Sequence, residues 1–305
     1  MIQTEKKGEW LVITIPAFWE GQTIEQLLRS EVAVPKKMLH ELRMEKGVLL
    51  NGDQIPWNHP VKKNDQLYLH CIKGEEYGVI PEDLNVDILY EDDHLLVVNK
   101  PVGMDTHPND ANGKQTVANG VAFHLQLSGI QTKIRHVHRL DRDTSGVILF
   151  AKHPLASALL DQALEKREIK RTYLALAEGM MRKKKGTITE PIGRDRHHPT
   201  RRRVSPAGQK AITHYEVSEI NTKLHMTLVK LNLDTGRTHQ IRVHLSHLGH
   251  PLVGDQLYGG KNTYLKHQAL HASSIDFIHP ITKGKISVEA PTPSWLRKFF
   301  NEKTR

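Results

Sequence analysis

The stretch HRLDRDTSGVILFAK, residues 138–152, constrains this chain more than any other. Its first six residues hold one histidine, two arginines and two aspartates; Thr144, Ser145 and Gly146 then lead into the apolar run VILFA. A short, β-branched run with no polar residue fits a strand buried on both faces, so VILFAK is expected to be a central strand. A solvated loop carries charge without consequence. A loop at the mouth of a buried strand must hold its charges in fixed places, because an unpaired buried charge is costly.

The flanking segments supply a sheet for that strand. DILYEDDHLLVVNKP reads as a strand pair with its turn at Glu91–Asp93, and KRTYLALAEG alternates as a strand that stops at Gly179. KLHMTLVKLNL alternates in the same way. PLASALLDQALEKREI places Leu155, Leu159, Ala163 and Leu164 at helical spacing behind Pro154, which a first helical turn tolerates. TGRTHQIRVHLSHLGH reads as a turn and then a helix closing at Gly249. Strands predominate and helices fall irregularly among them, which predicts an α+β fold with a mixed, largely antiparallel sheet and flanking helices.

GEEYGVIPEDLN is polar and carries Gly74, Gly78 and Pro81, so it is expected to join two domains. The predicted division is a leading domain over residues 1–74, a linker over 75–84 and a larger domain over 85–305. In the leading part, TIEQLLRSEV opens at the N-cap candidate Thr23 with Ile24, Leu27 and Leu28 on one face. PKKMLHELRMEK reads as a second helix, and GVLLNGDQI as a hairpin turning at Asn51-Gly52. Two short helices followed by a hairpin resemble the S4 RNA-binding domain. The resemblance implies that Lys36 and Lys37, with Arg43 and Lys46, face RNA; a domain used only for packing is the alternative.

Composition narrows the classes. With 38% hydrophobic and 25% charged residues the chain is neither disordered nor a membrane protein by composition, and the start MIQTEKKGEW has no apolar core of a signal peptide. A cytoplasmic location is the expectation. The single cysteine, Cys71, excludes an internal disulfide and any Cys-based zinc site. His244, His247 and His250 recur at intervals of three without an HExxH pattern or a nearby carboxylate, so no metal is expected. Charge is uneven. Residues 1–80 hold 10 Lys/Arg against 11 Asp/Glu, whereas residues 131–215 hold 19 against 8. Clustered runs, RKKK at 182–185 and RRR at Arg201, Arg202 and Arg203, point to a polyanion and most directly to nucleic acid.

On the helix THQIRVHLSHLG, Ile241, Leu245 and Leu248 are expected to share one face, with His239, Arg242 and Ser246 on another. Arg242 therefore stands off the packing stripe. Facing a cleft, its guanidinium could pin a carboxylate, and Asp141 is the candidate; an ordinary salt bridge is the plainer reading. Arginine beside aspartate favours the ionised carboxyl.

HRLDRDTSGVILFAK resembles the signature of the RluA family of pseudouridine synthases, which convert uridines in RNA to pseudouridine. LYEDDHLLVVNKPVGMDTHP, KRTYLALAEG, TGRTHQIRVHLSHLGHPLVGD and LHASSIDFIHP are similar to that family's other segments, in its order, over about 200 residues. The resemblance implies Asp141 as the catalytic aspartate, Tyr173 as the aromatic against the uracil and Arg242 as the partner of the aspartate. It further implies that Arg139 takes the place of the extruded base, with His138, Arg237 and the basic runs contacting RNA. Asp143 is expected to serve the loop or face solvent.

The implied reaction breaks C1′–N1, turns the uracil and rejoins it through C5. Nothing is oxidised and no group leaves, so no cofactor is expected. A carboxylate must stand beside the ribose, as nucleophile at C1′ or base at C2′; the sequence leaves both open. The target base must leave its stack, which costs a few kcal/mol. Ribosomal RNA is expected over transfer RNA as the substrate, and a monomer as the acting form. The rival readings are a non-catalytic RNA-binding or ribosome-associated protein and a metal-dependent nuclease built on His138, Asp141 and Asp143.

Overall fold

The computed structural model describes residues 1–110 and 112–300; the last five residues of the expected larger domain lie outside that range. A four-stranded antiparallel sheet leads the chain, with β1 (Thr4–Lys7), β2 (Trp10–Thr14), β3 (Val48–Leu50) and β4 (Gln66–His70) in the order β1-β2-β4-β3. Between β2 and β3, helix α1 (Ile24–Gln26) runs on as a wider π turn, Leu27–Glu31, and α2 (Lys36–Met44) follows Pro35. Thr23 starts α1 with a capping box: its hydroxyl accepts from Gln26 N at 3.2 Å, and the Gln26 side chain accepts from Thr23 N at 2.8 Å. Ile24, Leu27 and Leu28 are buried on the side this start dictates.

Two features of this region differ from the sequence reading. Strands β1 and β2 precede the helices. The Asn51-Gly52 turn does form, with both residues at positive φ and Leu50 and Asp53 exchanging hydrogen bonds of 2.9 and 3.0 Å. No strand follows it, however, because β3 pairs instead with β4, whose Leu67 and Leu69 complete the core.

The second sheet has ten strands. Its spine runs β10 (Lys185–Ile188), β13 (Thr213–Asn221), β14 (Met226–Leu233), β9 (Lys170–Glu178), β15 (Leu270–Ile278), β8 (Ser145–Ala151), β6 (Leu95–Lys100), β5 (Asp87–Glu91). β7 (Arg135–His136) pairs with β8 and β16 (Lys285–Glu289) with β15, while β11 (Ile192–Arg194) and β12 (Arg202–Val204) form a separate ribbon. The strand after the charged loop is central, and every residue of β8 is buried. Among the described residues all the strand pairings are antiparallel except that of β8 with β15. The helices are α3 (Val117–Leu127), α4 (Pro154–Glu165), α5 (Gln240–His247) and α6 (Ser294–Phe299).

The two sheets share packing. Leu155 and Leu159 of α4, with Ile281, belong to the core of the leading sheet, and Thr4 Oγ1 lies 3.2 Å from His94 Nε2. Residues 75–84 carry no strand or helix and are fastened to the second region. Arg135 Nη2 meets both Glu75 carboxylate oxygens at 2.6 Å, Asn119 Nδ2 donates to Ile80 O at 2.8 Å, and Glu82 accepts from Gln115 N at 2.7 Å.

Gly146 is where the charged loop becomes a buried strand. Its φ is +108°, and a Cβ there would stand 2.1 Å from Ala272 O across the parallel pairing. A side chain is excluded by both torsion and space. Gly146→Ala should therefore lower stability by about 2–4 kcal/mol. Thermal melts of the two proteins check this; equal midpoints would mean that the strands can part at no cost.

Several buried histidines make acid destabilising. Burial, then the neighbouring His279, pulls His94 down to about 4; burial, then Arg171, pulls His138 to about 3; burial alone takes His271 to about 4. The unfolded chain takes these protons near pH 6.5 while the folded one refuses them. Stability is thus full above pH 6.5 and falls as pH drops toward 4, by about 1 kcal/mol per pH unit for each histidine. Chemical denaturation at pH 7.5 and pH 5 should show that loss.

Candidate active site

The loop that carries Asp141 is held from behind by Lys100, the last residue of β6. That lysine is fully buried and donates to the carbonyls of Pro101, Met104 and Arg142 at 2.9, 2.5 and 2.7 Å. Burial lowers its pKa to about 8, with Asp105, Asp143 and Asp141 opposing the shift. Thr106 clamps the same loop: its hydroxyl donates to Leu140 O at 3.0 Å and accepts from Leu140 N at 3.1 Å. Thr144 N donates to Asp141 O at 3.0 Å, closing the turn into β8. The loop's conformation is set on both sides of the aspartate.

Arg242 arrives from α5. Its Nη1 donates to Asp141 Oδ2 at 3.0 Å, while Nε and Nη2 form a fork on Asp255 at 2.7 and 2.8 Å. The Tyr258 ring lies 5.0 Å from the guanidinium carbon. Burial works against the charge of Arg242, but Asp255 first and Asp141 second hold its pKa well above the ordinary value. The fork fixes the guanidinium plane, so Nη1 has one direction in which to present its proton.

The helix differs from the expected stripe. It begins after His239, which sits in the left-handed region at φ 59°, and ends before Leu248, which is 39% exposed. Arg242 is nonetheless only 7% exposed, because the Asp141 loop and the Asp255–Tyr258 segment cover the polar side of α5. His239 Nδ1 lies 2.8 Å from Tyr258 Oη, and its Nε2 is 3.9 Å from Asp141. Buried Gln240 steadies the preceding loop: its Oε1 accepts from Arg237 N at 3.0 Å and its Nε2 donates to Ile212 O at 3.0 Å.

Asp141, Arg242 and Tyr173 all line one cavity of about 560 Å³. That volume lies within the roughly 300–1,000 Å³ of small-ligand sites. Tyr173 comes from β9 and is 4% exposed; burial raises its pKa, so its hydroxyl keeps its proton. Arg139 and Arg237 also line the cavity and are exposed. His138 lines it too but is buried, and its Nε2 accepts from Leu149 N at 3.3 Å. Asp143 is half-buried and does not line the cavity.

The other candidates lie elsewhere. Lys36 and Lys37 are exposed on α2, away from the cavity wall. In the RRR run Arg201 is tied to Asp195 at 2.7 Å, Arg202 is half-buried with its backbone N on Tyr258 Oη at 2.9 Å, and Arg203 is exposed. Residues 182–185 are exposed, and Lys185 begins β10 at the sheet edge, where lysine also discourages strand addition. The three spaced histidines part company. His244 contacts Thr213 and Glu190, His250 contacts Glu178 O, and His247 is exposed.

The sequence reading did not find Asp255, His239 as a neighbour of Asp141, Tyr258 or Lys100 as parts of this site. Asp255 lies in an irregular loop with no periodicity to mark it; its only signal is its place in the segment HPLVGD, which the family resemblance covers.

Comparison with known proteins gives the family. Residues 94–247 match the RNA pseudouridylate synthase family model, and residues 11–67 match the N-terminal domain of the RluD ribosomal pseudouridine synthase. The chain belongs to the RNA pseudouridylate synthase family. Within this family it is similar to the uncharacterized RNA pseudouridine synthase YhcT of Bacillus subtilis, at 50% identity over 96% of this chain and 97% of that one. The ribosomal large subunit pseudouridine synthase D of Escherichia coli K12 is 36% identical over 93% of this chain and 91% of its own. Among solved structures, human RNA pseudouridylate synthase domain containing 1 gives a TM-score of 0.58 at 27% identity, covering 70% of this chain and 85% of that one. The RluA-type assignment and the antiparallel-dominated α+β fold follow, and the chain is an RNA pseudouridine synthase.

Proposed function

We propose that this synthase isomerises uridine in ribosomal RNA, with Asp141 as the group that acts on the ribose. The observation that carries the reading is the Asp141–Arg242 contact of 3.0 Å inside the cavity lined by Tyr173. Arg242, locked by Asp255, fixes the carboxylate without covering it, since Asp141 keeps 20% of its side chain exposed. Its free oxygen stands where C1′ or C2′ of a flipped uridine could come. Tyr173 offers an aromatic face for the base and shields the detached uracil from water. Arg139 at the cavity rim fills the gap in the RNA stack, and Arg237 contacts backbone phosphate.

The leading sheet, residues 1–74, acts as an S4-like RNA-binding domain through Lys36 and Lys37 on α2, with residues 75–84 as the joining segment. A monomer is the proposed acting form. Among the described residues no helix is long and apolar enough to cross a membrane. A cytoplasmic location suits this substrate.

Purified protein incubated with transcripts of ribosomal and transfer RNA tests the substrate. Pseudouridine mapped to a ribosomal RNA site is the expected result; modification confined to transfer RNA would refute the substrate assignment. Activity should persist in a chelator, since the proposed steps route through no metal.

A further inference from the structure

Two donors in the wall of the cavity have no partner among the described residues. Arg171 precedes Tyr173 by two positions on β9, so both leave the same face of the strand, and both line the cavity. Arg171 is 7% exposed, its Nε bonds to nothing, and no carboxylate among the described residues pairs with its guanidinium. Gly236 leaves room for it: a Cβ there would stand 3.2 Å from Arg171 Nη1. His138 is the second. Because its Nε2 accepts from Leu149 N, the ring proton sits on Nδ1, and that nitrogen is buried and unpartnered as well.

A buried, unpaired guanidinium is costly, and such groups persist where a ligand completes them. Depth argues for the base over the backbone phosphate. Leu164, Leu233 and Leu270 line the same cavity, which suits a flat ring, while exposed Arg139 and Arg237 remain for phosphates.

We propose that Arg171, with the His138 Nδ1–H, is the site that receives the detached uracil and stabilises its negative charge. This rests on the reading under Proposed function. When C1′–N1 breaks, the electron pair leaves with the base and spreads over N1 and the two carbonyl oxygens. C1′ is then bonded to Asp141, or its sugar has given a C2′ proton to Asp141. After the base turns, C5 bonds to C1′ as the C1′–Asp141 bond breaks, or as Asp141 returns its proton to C2′; the C5 proton then passes to the freed carboxylate or solvent and N1 takes up a proton, so every atom of uridine is kept. Arg171 thus acts as a catalytic residue at the one stage when the base is an anion.

The test uses the full chain in excess over an RNA it modifies, with rate, RNA affinity and melting temperature read separately. Arg171→Met should lower the single-turnover rate by about 10²–10³-fold, as loss of a preorganised charge does. RNA affinity should stay within about threefold, and the melting temperature should not fall, because an unpaired buried charge has been removed. Added guanidinium ion should restore part of the rate to Arg171→Ala. With 5-fluorouridine at the target, whose base leaves more readily as an anion, the penalty on bond cleavage should shrink at least tenfold. Weakened RNA binding at an unchanged rate would overturn the proposal in favour of a phosphate clamp. Equal losses on both substrates, a lower melting temperature and no rescue would overturn it in favour of a structural role. A wild type that modifies no RNA overturns the underlying function; an active wild type matched by Arg171→Met overturns this inference alone.

Discussion

Asp141→Asn is expected to reduce pseudouridine formation by about 10⁴-fold or more while RNA binding stays near that of the wild type. The substitution keeps the size of the side chain and lets it accept from Arg242 Nη1, now at 3.0 Å from the carboxylate. What it removes is the charge, and with it both available roles: an amide is neither a nucleophile at C1′ nor a base at C2′. Asp143→Asn is the control. It alters a carboxyl two residues away that does not line the cavity, and should change the rate by no more than about threefold. Nucleoside analysis of RNA digests after single turnover measures both. Full activity in Asp141→Asn would remove Asp141 from the reaction, and an inactive wild type that still binds RNA would favour the non-catalytic rival.

The sequence made the local architecture legible where one face or one terminus is specified by near neighbours. β8, β9, α4 and the Thr23 cap all carry their signal within a dozen residues. Helix α3 did not, because Val117–Ala122 is buried all round and Leu127 is exposed, so its apolar residues trace no one-sided helical period. A capping box of Thr116 with Asn119 was its one local mark. β1, with the sequence TEKK, is too short and charged to read as a strand; it exists because β2 offers it an edge.

The candidate site divides in the same way. Placing Arg242 off the apolar stripe of α5 required only helical geometry, and its contact with Asp141 spans 101 positions that no periodicity connects. Three of the groups around that contact depend on backbone outside regular strands and helices. Lys100 works through carbonyls, His239 through a left-handed backbone, and Asp255 through a segment whose shape depends on Gly254 and Gly260, where a Cβ would stand 2.0 and 1.9 Å from carbonyl oxygens. Such positions are set by tertiary packing and leave no pattern in the chain.

Asp255→Asn should separate the stability of this arrangement from its chemistry. Asp255 is 2% exposed and supplies both acceptors for the Arg242 fork. An asparagine offers one acceptor and no charge, so Arg242 is left under-paired in a buried place, and breaking such a pair costs about 3–5 kcal/mol. The guanidinium then turns its fork toward Asp141, occupying the oxygen that the ribose needs. A loss of about 10²-fold or more in single-turnover rate is expected, with RNA affinity unchanged. The double variant Arg242→Met/Asp255→Leu supplies the discrimination. It replaces the buried pair with apolar groups, which is often neutral for stability, so it should recover most of the melting temperature that Asp255→Asn loses. It should recover none of the rate, because nothing then aims the Asp141 carboxylate. If the double variant regained activity along with stability, the Asp255–Arg242 fork would be a packing device and the orientation of Asp141 would have to come from Lys100 and Thr106 alone.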